Sequence, residues 1–94
     1  MTAWDERKRQ INLRKHGFDF EDAYIVYDNP DKFTVSTPRS GEDRRMDTAF
    51  IEMLDSVLAF VYVERGNDIS AISFRRASRR ERRLYARVKQ EKLD

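Results

Sequence analysis

The residues of this chain best suited to chemistry are the arginines between positions 75 and 87. This stretch holds seven arginines and one glutamate, a net charge of +6, whereas the other residues, 12 basic and 16 acidic, sum to −4. Segregated positive charge indicates a polyanionic partner for one surface. The alternative is a solubilising helix face, although solubility is normally achieved by mixing the two signs.

A helix is predicted to begin inside this stretch. Ser78 and Glu81 form an S-x-x-E capping box, and the helix is predicted to run to about Lys89. Arg79 and Arg80 then occupy its first turn, where each cation opposes the helix dipole by about 0.3–1 kcal/mol. A nearby phosphate would explain this placement, because arginine side chains and helix N-termini both bind phosphate. The spacing predicts that one helix face is striped by Arg76, Arg79, Arg80, Arg83 and Arg87.

Three further side chains could take part in phosphate chemistry. Arg75 ends a predicted strand beside the helix N-terminus, where it could stabilise charge that develops on a phosphorane. The alternative for Arg75 is an ion pair with Glu81 or with an acid of the first helices. Lys15 and His16 end a predicted first helix and could supply a general base or acid, since histidine titrates near neutrality. The alternative for that pair is a C-terminal cap, because a cation is favourable there by itself.

Glu64 and Arg65 lie at the tip of a predicted hairpin. If Glu64 pairs with Ile69, Arg75 lies some six residues away along the ladder, roughly 20 Å. Glu64 and Arg75 are then too far apart to act on one atom. Structural or partner-binding roles are predicted for Trp4, Lys8, Glu64, Glu81 and Tyr85.

The helices that position these groups follow from apolar periodicity and turn residues. A first helix is predicted over residues 4–16, capped by Asp5 and ended at Gly17. A second, shorter helix is predicted over residues 19–27, where apolar side chains recur at helical spacing. The apolar contacts of the two helices are predicted to be Ile11, Leu13, Phe20, Ala23, Tyr24 and Tyr27.

The strands are predicted over residues 33–35, 45–52, 57–64 and 69–76, with the last two forming a hairpin. The hairpin face with Val57, Ala59, Val61, Ile72 and Phe74 is predicted to meet the helices. The face with Leu58, Phe60, Tyr62, Ala71 and Arg75 is predicted to be a half-exposed groove. The element order predicts an α+β domain with two N-terminal helices, an antiparallel sheet of three to four strands and a C-terminal helix.

Composition excludes several classes of protein. The chain has 94 residues, no cysteine and one histidine, which excludes a disulfide scaffold and a thiolate metal site. It contains no P-loop, no G-x-G-x-x-G, no H-E-x-x-H and no paired acidic cluster. The N-terminus has no apolar signal-peptide region, and the longest apolar run is too short to cross a bilayer. We therefore expect residues 1–94 to form one cytoplasmic domain with no metal ion, no cofactor and no membrane contact.

RNA cleavage remains possible without metal ligands. The ribose 2′-hydroxyl supplies the nucleophile, so a protein needs only to position it, neutralise the phosphate and move protons. DNA offers no such nucleophile. The basic surface is therefore more consistent with RNA than with DNA as a substrate.

Four sequence blocks, in order and at fitting spacing, resemble a known family. They are W-D-x-x-K-x-x-x-N-x-x-K-H-G at 4–17, F-E-D-A at 20–23, E-R-G at 64–66 and I-S-x-R-x-A-x-x-x-E-R-x-x-Y at 72–85. Together they resemble the BrnT toxins, which are ribonuclease toxins of toxin–antitoxin pairs. The resemblance implies a RelE-like fold and a BrnA-like antitoxin with a ribbon-helix-helix DNA-binding domain. It also implies a toxin–antitoxin hetero-oligomer that represses its own operon, with operator DNA bound only through the antitoxin.

The resemblance also singles out particular side chains. The matching polar residues are Lys15, His16, Glu64, Arg65, Arg75 and Arg82. Tyr62 stands where many relatives have histidine, and the stretch 36–56 matches poorly. Both departures concern positions that could alter proton transfer or substrate choice.

The leading hypothesis is a metal-independent endoribonuclease toxin that an antitoxin inhibits. Its predicted catalytic residues are Lys15, His16, Arg75 and Arg82, with Arg75 and Arg82 on the scissile phosphate. Its predicted RNA-binding residues are Arg65, Arg76, Arg79, Arg80 and Arg83. The alternatives are a non-enzymatic basic module that binds RNA or an acidic protein, and a chain that binds operator DNA directly.

Overall fold

The sheet of this protein is built mainly from four antiparallel strands. A computed structural model describes residues 2–93 of the chain and the side chains of residues 4–92. The strands are β1 (Thr2–Ala3), β2 (Phe33–Ser36), β3 (Arg44–Ile51), β4 (Ser56–Arg65) and β5 (Asp68–Arg76). The helices are α1 (Glu6–His16), α2 (Tyr24–Tyr27) and α3 (Arg79–Leu93), with 3₁₀ turns at Phe20–Asp22 and Glu52–Leu54. The strand order is β1-β5-β4-β3-β2, with β1 parallel to β5, and the predicted α+β class is confirmed.

Helix α1 has the predicted cap and stop, but it begins at Glu6 rather than at residue 4. The Asp5 side chain accepts a hydrogen bond from the Arg7 N–H, and Gly17 closes the helix in the left-handed region with φ 77°. The predicted apolar contacts are wrong, because Ile11 and Leu13 remain 48% and 36% exposed. The side chain that α1 buries is a polar one, Asn12.

Asn12 joins α1 to the edge of strand β5. Its amide donates to the Phe74 carbonyl at 2.8 Å and accepts from the Phe74 N–H at 3.1 Å, as a neighbouring strand would. A further hydrogen bond runs to the Phe18 carbonyl at 2.9 Å. This amide satisfies backbone groups that a sheet edge otherwise leaves unpaired. It also sets the position of α1 along β5.

The second helical segment is less regular than its spacing predicts. It consists of the 3₁₀ turn followed by the short α2, and the Asp19 side chain caps its start. Tyr24, predicted to pack inward, is 61% exposed, whereas Val26 is fully buried. A 3₁₀ turn has three residues per turn, so a face drawn at 3.6 residues per turn does not continue through it.

The β4–β5 hairpin has the predicted Glu64–Ile69 register, but only near its tip. Between Val61 and Tyr62 the pairing shifts, because Val61 pairs with Ser73 and Tyr62 with Ala71. Ile72 is the extra residue of a bulge, and the residues after it change face. Arg75 therefore pairs with Ala59 rather than sharing the face of Phe60 and Tyr62, as was predicted.

The prediction of which hairpin face meets the helices is also wrong. Leu58, Phe60 and Tyr62 are buried and form the core with Phe20 and Val26. The larger aromatic side chains fill the space beneath the helical segment, and Tyr27 packs edge-on against both Phe60 and Tyr62. The opposite face, which carries Arg75, is the half-open one.

Helix α3 lies over part of this opposite face. Its capping box is confirmed, since the Ser78 N–H donates to Glu81 and the Glu81 N–H donates to the Ser78 hydroxyl. The Tyr85 hydroxyl accepts a hydrogen bond from the Phe50 N–H at 3.2 Å. Arg76 was predicted to lie on the helix face but ends strand β5, so the stripe begins at Arg79. No helix among residues 2–93 is long and apolar enough to cross a membrane.

Candidate active site

Two cavities meet on the half-open side of the sheet. The first, the α1 groove, has a volume of about 340 Å³ and is lined by Lys8, Ile11, Asn12, Lys15, His16, Ile72 and Ser73. The second, the arginine cavity, has a volume of about 310 Å³ and is lined by Thr37, Pro38, Arg39, Arg44, Met46, Val61, Arg75 and Glu81. Ser73 of the groove pairs across the strands with Val61 of the cavity. Ser73 and Arg75 also share a face of β5 about 7 Å apart, so the two cavities lie side by side.

The two cavities are strongly basic. Among the described side chains that line them, the cationic ones are Lys8, Lys15, Arg39, Arg44 and Arg75, and the anionic one is Glu81. Several positive groups around two adjoining concave surfaces raise the local concentration of an anionic ligand. This arrangement suits a chain of phosphates better than a single small anion.

Arg75 is held in place by Glu81. Its guanidinium donates to both carboxylate oxygens, at 2.7 and 3.1 Å, and both side chains are about three-quarters buried or more. The ion pair that was weighed as the alternative for Arg75 is therefore present. The same contact, with the Ser78 N–H, lowers the pKa of Glu81, so this carboxylate stays ionised.

Arg44 is a basic residue of the site that the sequence did not single out. Its Nε atom is buried and has no hydrogen-bond partner among the described residues. A buried donor left without a partner costs about 1–3 kcal/mol. The predicted strand began at residue 45, one residue too late. The signal that was missed is the pairing of Met46 with Val61. Arg44 lies two residues before Met46, so this pairing places it on the same face of the sheet as Arg75.

His16 faces the same positive surroundings. Its partial burial, the charge of Lys15 and the charge of Arg75 together lower its pKa from the ordinary value. The imidazole is therefore neutral at neutral pH and able to accept a proton. The charge of Arg75 is thus felt at the imidazole that ends α1.

Arg82 lies apart from Arg75. It donates to the Ala77 carbonyl at 2.9 Å and lines a third cavity, of about 280 Å³, with Phe50, Asp55, Ser56, Val57 and Arg76. In that cavity the Arg76 guanidinium donates to the Ser56 hydroxyl. The two arginines predicted to hold one phosphate thus line different cavities.

The remaining predicted residues lie outside the two cavities, except Lys8. Arg65 is exposed at the hairpin tip, six residues along β4 from the partner of Arg75, or roughly 20 Å. Glu64 pairs with Arg45 at 3.2 Å, and Trp4 packs near the Phe20 ring. Tyr85, a residue of α3, has a buried side chain. Arg79, Arg80 and Arg83 are exposed in the first turns of α3.

A second polar cluster lies on the opposite face of the sheet. The fully buried Asp47 carboxylate accepts hydrogen bonds from Lys32 at 2.8 Å, Thr34 at 2.6 Å and Tyr62 at 3.0 Å. Burial and the Asp47 charge raise the pKa of Tyr62 above its ordinary value, so its phenol stays protonated. Tyr62 therefore belongs to the core and does not face Arg75.

The acidic and histidine side chains are dispersed. Among residues 2–93, no group of three or more histidine, aspartate or glutamate side chains is close enough to hold a metal ion. The groups that line the two cavities include an imidazole, two lysines and three arginines. Groups of these types can move protons and bind phosphate.

Comparison with known proteins agrees with this chemistry. A search among curated proteins finds no significant match. A scan against models of protein families matches residues 4–81 to the family described as "ribonuclease toxin, BrnT, of type II toxin–antitoxin system". The match covers most of the chain and includes α1, the four antiparallel strands β2 to β5 and the start of α3. The chain therefore belongs to the BrnT family and is a ribonuclease toxin, with RNA as its substrate and an antitoxin as its partner.

Proposed function

We propose that this toxin cleaves RNA without a metal ion, with the scissile phosphate beside Arg75 and the ribose in the α1 groove. The observation that carries the proposal is the meeting of the two basic cavities, which puts Lys15 and His16 next to Arg75. Arg75 neutralises the negative charge that develops on the phosphorane. Electrostatic stabilisation of this kind needs no Lewis acid.

The proton transfers follow from the charges of the groups. Neutral His16 takes the proton of the 2′-hydroxyl, the 2′-oxygen attacks phosphorus, and the bond from phosphorus to the 5′-oxygen breaks. Lys15, a cation, returns a proton to the departing 5′-oxygen. The products are a 2′,3′-cyclic phosphate and a free 5′-hydroxyl.

The other arginines bind the RNA on either side of the reacting phosphate. Arg82 and Arg76, in their own cavity, contact a flanking phosphate rather than the scissile one. Arg79, Arg80 and Arg83 of α3, together with Arg65, add electrostatic attraction that depends on salt.

The test is incubation of the purified toxin with RNA in EDTA, with and without ribosomes. We expect fragments that end in a 2′,3′-cyclic phosphate, and we expect Arg75→Gln to remove them while Arg87→Gln does not. Absence of cleavage under both conditions would contradict the proposal. Retention of RNA without turnover would favour a non-enzymatic RNA-binding module instead.

We further propose that the antitoxin is a BrnA-like ribbon-helix-helix protein that inhibits by covering the basic surface with acidic residues. The two proteins form a hetero-oligomer, and the operon is repressed by that complex through the antitoxin. We also propose that the toxin acts in the cytoplasm, because RNA is its substrate. Residues 1–94 are proposed to form a single domain. Upstream DNA should shift only when both proteins are present. A shift by this chain alone would support direct operator binding.

A further inference from the structure

We propose that the arginine cavity is a phosphate-binding site in which Arg44 is a second ligand beside Arg75 and the Glu81 carboxylate occupies the phosphate position until RNA displaces it. The choice of RNA as the molecule that carries the bound phosphate rests on the proposed function. The site itself rests on three features of the cavity.

The first feature is the geometry of the Arg75–Glu81 contact. Two nitrogens of one guanidinium meet two oxygens of one carboxylate, at 2.7 and 3.1 Å. Arginine binds phosphate through the same fork. Glu81 is thus an internal anion in a site shaped for a planar two-oxygen contact.

The second feature is the unsatisfied charge of Arg44. Arg44 lines the same cavity as Arg75. Its buried Nε has no hydrogen-bond partner among the described residues. Arg44 also takes part in none of the ion pairs that the described residues form. Arg44 on β3 pairs with Val63 and Arg75 on β5 pairs with Ala59, so their backbones are four residues apart along β4 and two strand spacings apart across the sheet, roughly 16 Å in all. Two arginine side chains can bridge this distance around one phosphate. Met46 and Val61, which pair between them, form an apolar floor that strengthens the attraction.

The third feature is that Glu81 can leave Arg75 without unfolding α3. Its Oε1 also accepts a hydrogen bond from the Ser78 N–H at 2.7 Å, in the capping box of the helix. That second contact holds the start of α3 after Arg75 has been released. An RNA phosphodiester carries the same single negative charge as the carboxylate, but it gains Arg44 as an additional ligand, so it competes successfully for the position.

The experiment measures binding separately from cleavage. The probe is a short 2′-O-methyl RNA, which cannot be cleaved by this mechanism, titrated by fluorescence anisotropy at one fixed salt concentration. Glu81→Gln keeps the length of the side chain and the capping box but removes the competing charge. We expect it to bind about twofold to fivefold more tightly, the size expected for one partly exposed charge.

Arg44→Gln should bind about tenfold more weakly, since it loses a hydrogen bond to a charged group. Arg87→Gln, an exposed arginine of α3 outside both cavities, is the matched control and should change binding little. Thermal melts of all three variants verify that they fold. In addition, the Nε–H resonances of Arg44 and Arg75 should shift together when inorganic phosphate is added to the unaltered toxin.

Two results would overturn the inference. If Glu81→Gln binds the RNA as tightly as the unaltered toxin while Arg75→Gln binds it more weakly, Glu81 does not occupy the phosphate position. Affinity in Arg44→Gln equal to that of Arg87→Gln would remove Arg44 from the site. Cleavage of unmodified RNA in EDTA is measured on the same samples. If the binding pattern holds and no RNA is cut, the proposed function fails while the phosphate site stands.

Discussion

Two ionic clusters lie on opposite faces of the same sheet, and they differ in how completely their polar groups are satisfied. On the core face, the Asp47 carboxylate accepts hydrogen bonds from Lys32, Thr34 and Tyr62. On the half-open face, Glu81 neutralises Arg75, while Arg44 keeps a buried donor without a partner among the described residues.

This difference separates a structural cluster from a ligand-binding one. A fully satisfied buried cluster has nothing further to bind, and its contribution is to fix the strands that carry it. A cluster with spare positive charge is less favourable in the free protein and gains when an anion arrives. In this chain the degree of satisfaction distinguishes the two sites better than the density of charge does.

The largest effect should come from breaking the satisfied cluster. Asp47→Ala leaves Lys32, Thr34 and Tyr62 without their shared acceptor and should lower the free energy of unfolding by about 3–5 kcal/mol. Urea unfolding measures this loss, with the exposed Asp43→Ala as the control. The RNA cleavage rate of the molecules that remain folded should not change. A lost rate at full stability would place Asp47 in the active site.

Arg75→Gln should have the opposite effect, a large loss of cleavage rate with little change in the free energy of unfolding. Loss of one preorganised group that stabilises the transition state costs about a hundredfold to a thousandfold in rate, or about 2.7–4 kcal/mol. Its effect on unfolding should be about 1 kcal/mol or less, because Arg75 and Glu81 are both partly exposed. Single-turnover cleavage and urea unfolding on one preparation give both numbers. Arg82→Gln, in the neighbouring cavity, should lose less activity than Arg75→Gln.

The coupling between His16 and Arg75 should be visible in the pH dependence. Because the folded protein holds the pKa of His16 below about 6.5, the acidic limb of kcat/KM should lie below that pH and disappear in His16→Gln. Arg75→Gln should raise the pKa of His16, which an NMR titration of the imidazole follows directly. If the acidic limb of kcat/KM remains at the same pH in His16→Gln, a group other than His16 is the general base.

The same lowered pKa has a consequence for stability. The unfolded chain binds a proton at His16 more readily than the folded protein does. The contribution of His16 is therefore fully present above about pH 6.5 and is lost as the pH falls through 6.5 towards the pKa of the folded state. Stability measured against pH should show this decline, and His16→Gln should flatten it.

The smallest effects should come from the exposed arginines of α3. Arg79→Gln and Arg80→Gln each remove a cation from the first turn, so each should stabilise the helix by about 0.3–1 kcal/mol. Each should also reduce the salt dependence of RNA binding by about one phosphate contact, without a large loss of cleavage. A hundredfold loss of cleavage in either variant would move the reacting phosphate from the cavities to the helix.

Local signals predicted most ends of the elements to within two residues, although α3 runs to Leu93 rather than to about Lys89. The caps of α1 and α3, Gly17 and the hairpin turn depend on neighbouring residues, and they were found from sequence. The bulge at Ile72 could not be found in this way, since an extra residue in one strand is set by packing across the sheet. That single shift moved Arg75 to the other face.

The candidate site was predicted in part for the same reason. Motif spacing identified Lys15 and His16, which line the α1 groove, and Arg75, whose charge lowers the pKa of His16. Charge density drew attention to α3, where most arginines are exposed, and passed over Arg44, an ordinary residue at the start of a strand. Finding Arg44 requires the pairing of β3 with β4, which is a long-range property of the chain.

The hydrogen bonds between Asn12 and Phe74 connect residues 62 positions apart and place the end of α1 beside the end of β5. The groove and the cavity draw on both ends of the chain, from Lys8 to Glu81. A chain still being synthesised therefore has no assembled site until most of it has left the ribosome. The cavities that carry the basic groups are complete only when the last strand and the start of the final helix have emerged. The interval between that moment and capture by the antitoxin is the period in which the cell is exposed to its activity.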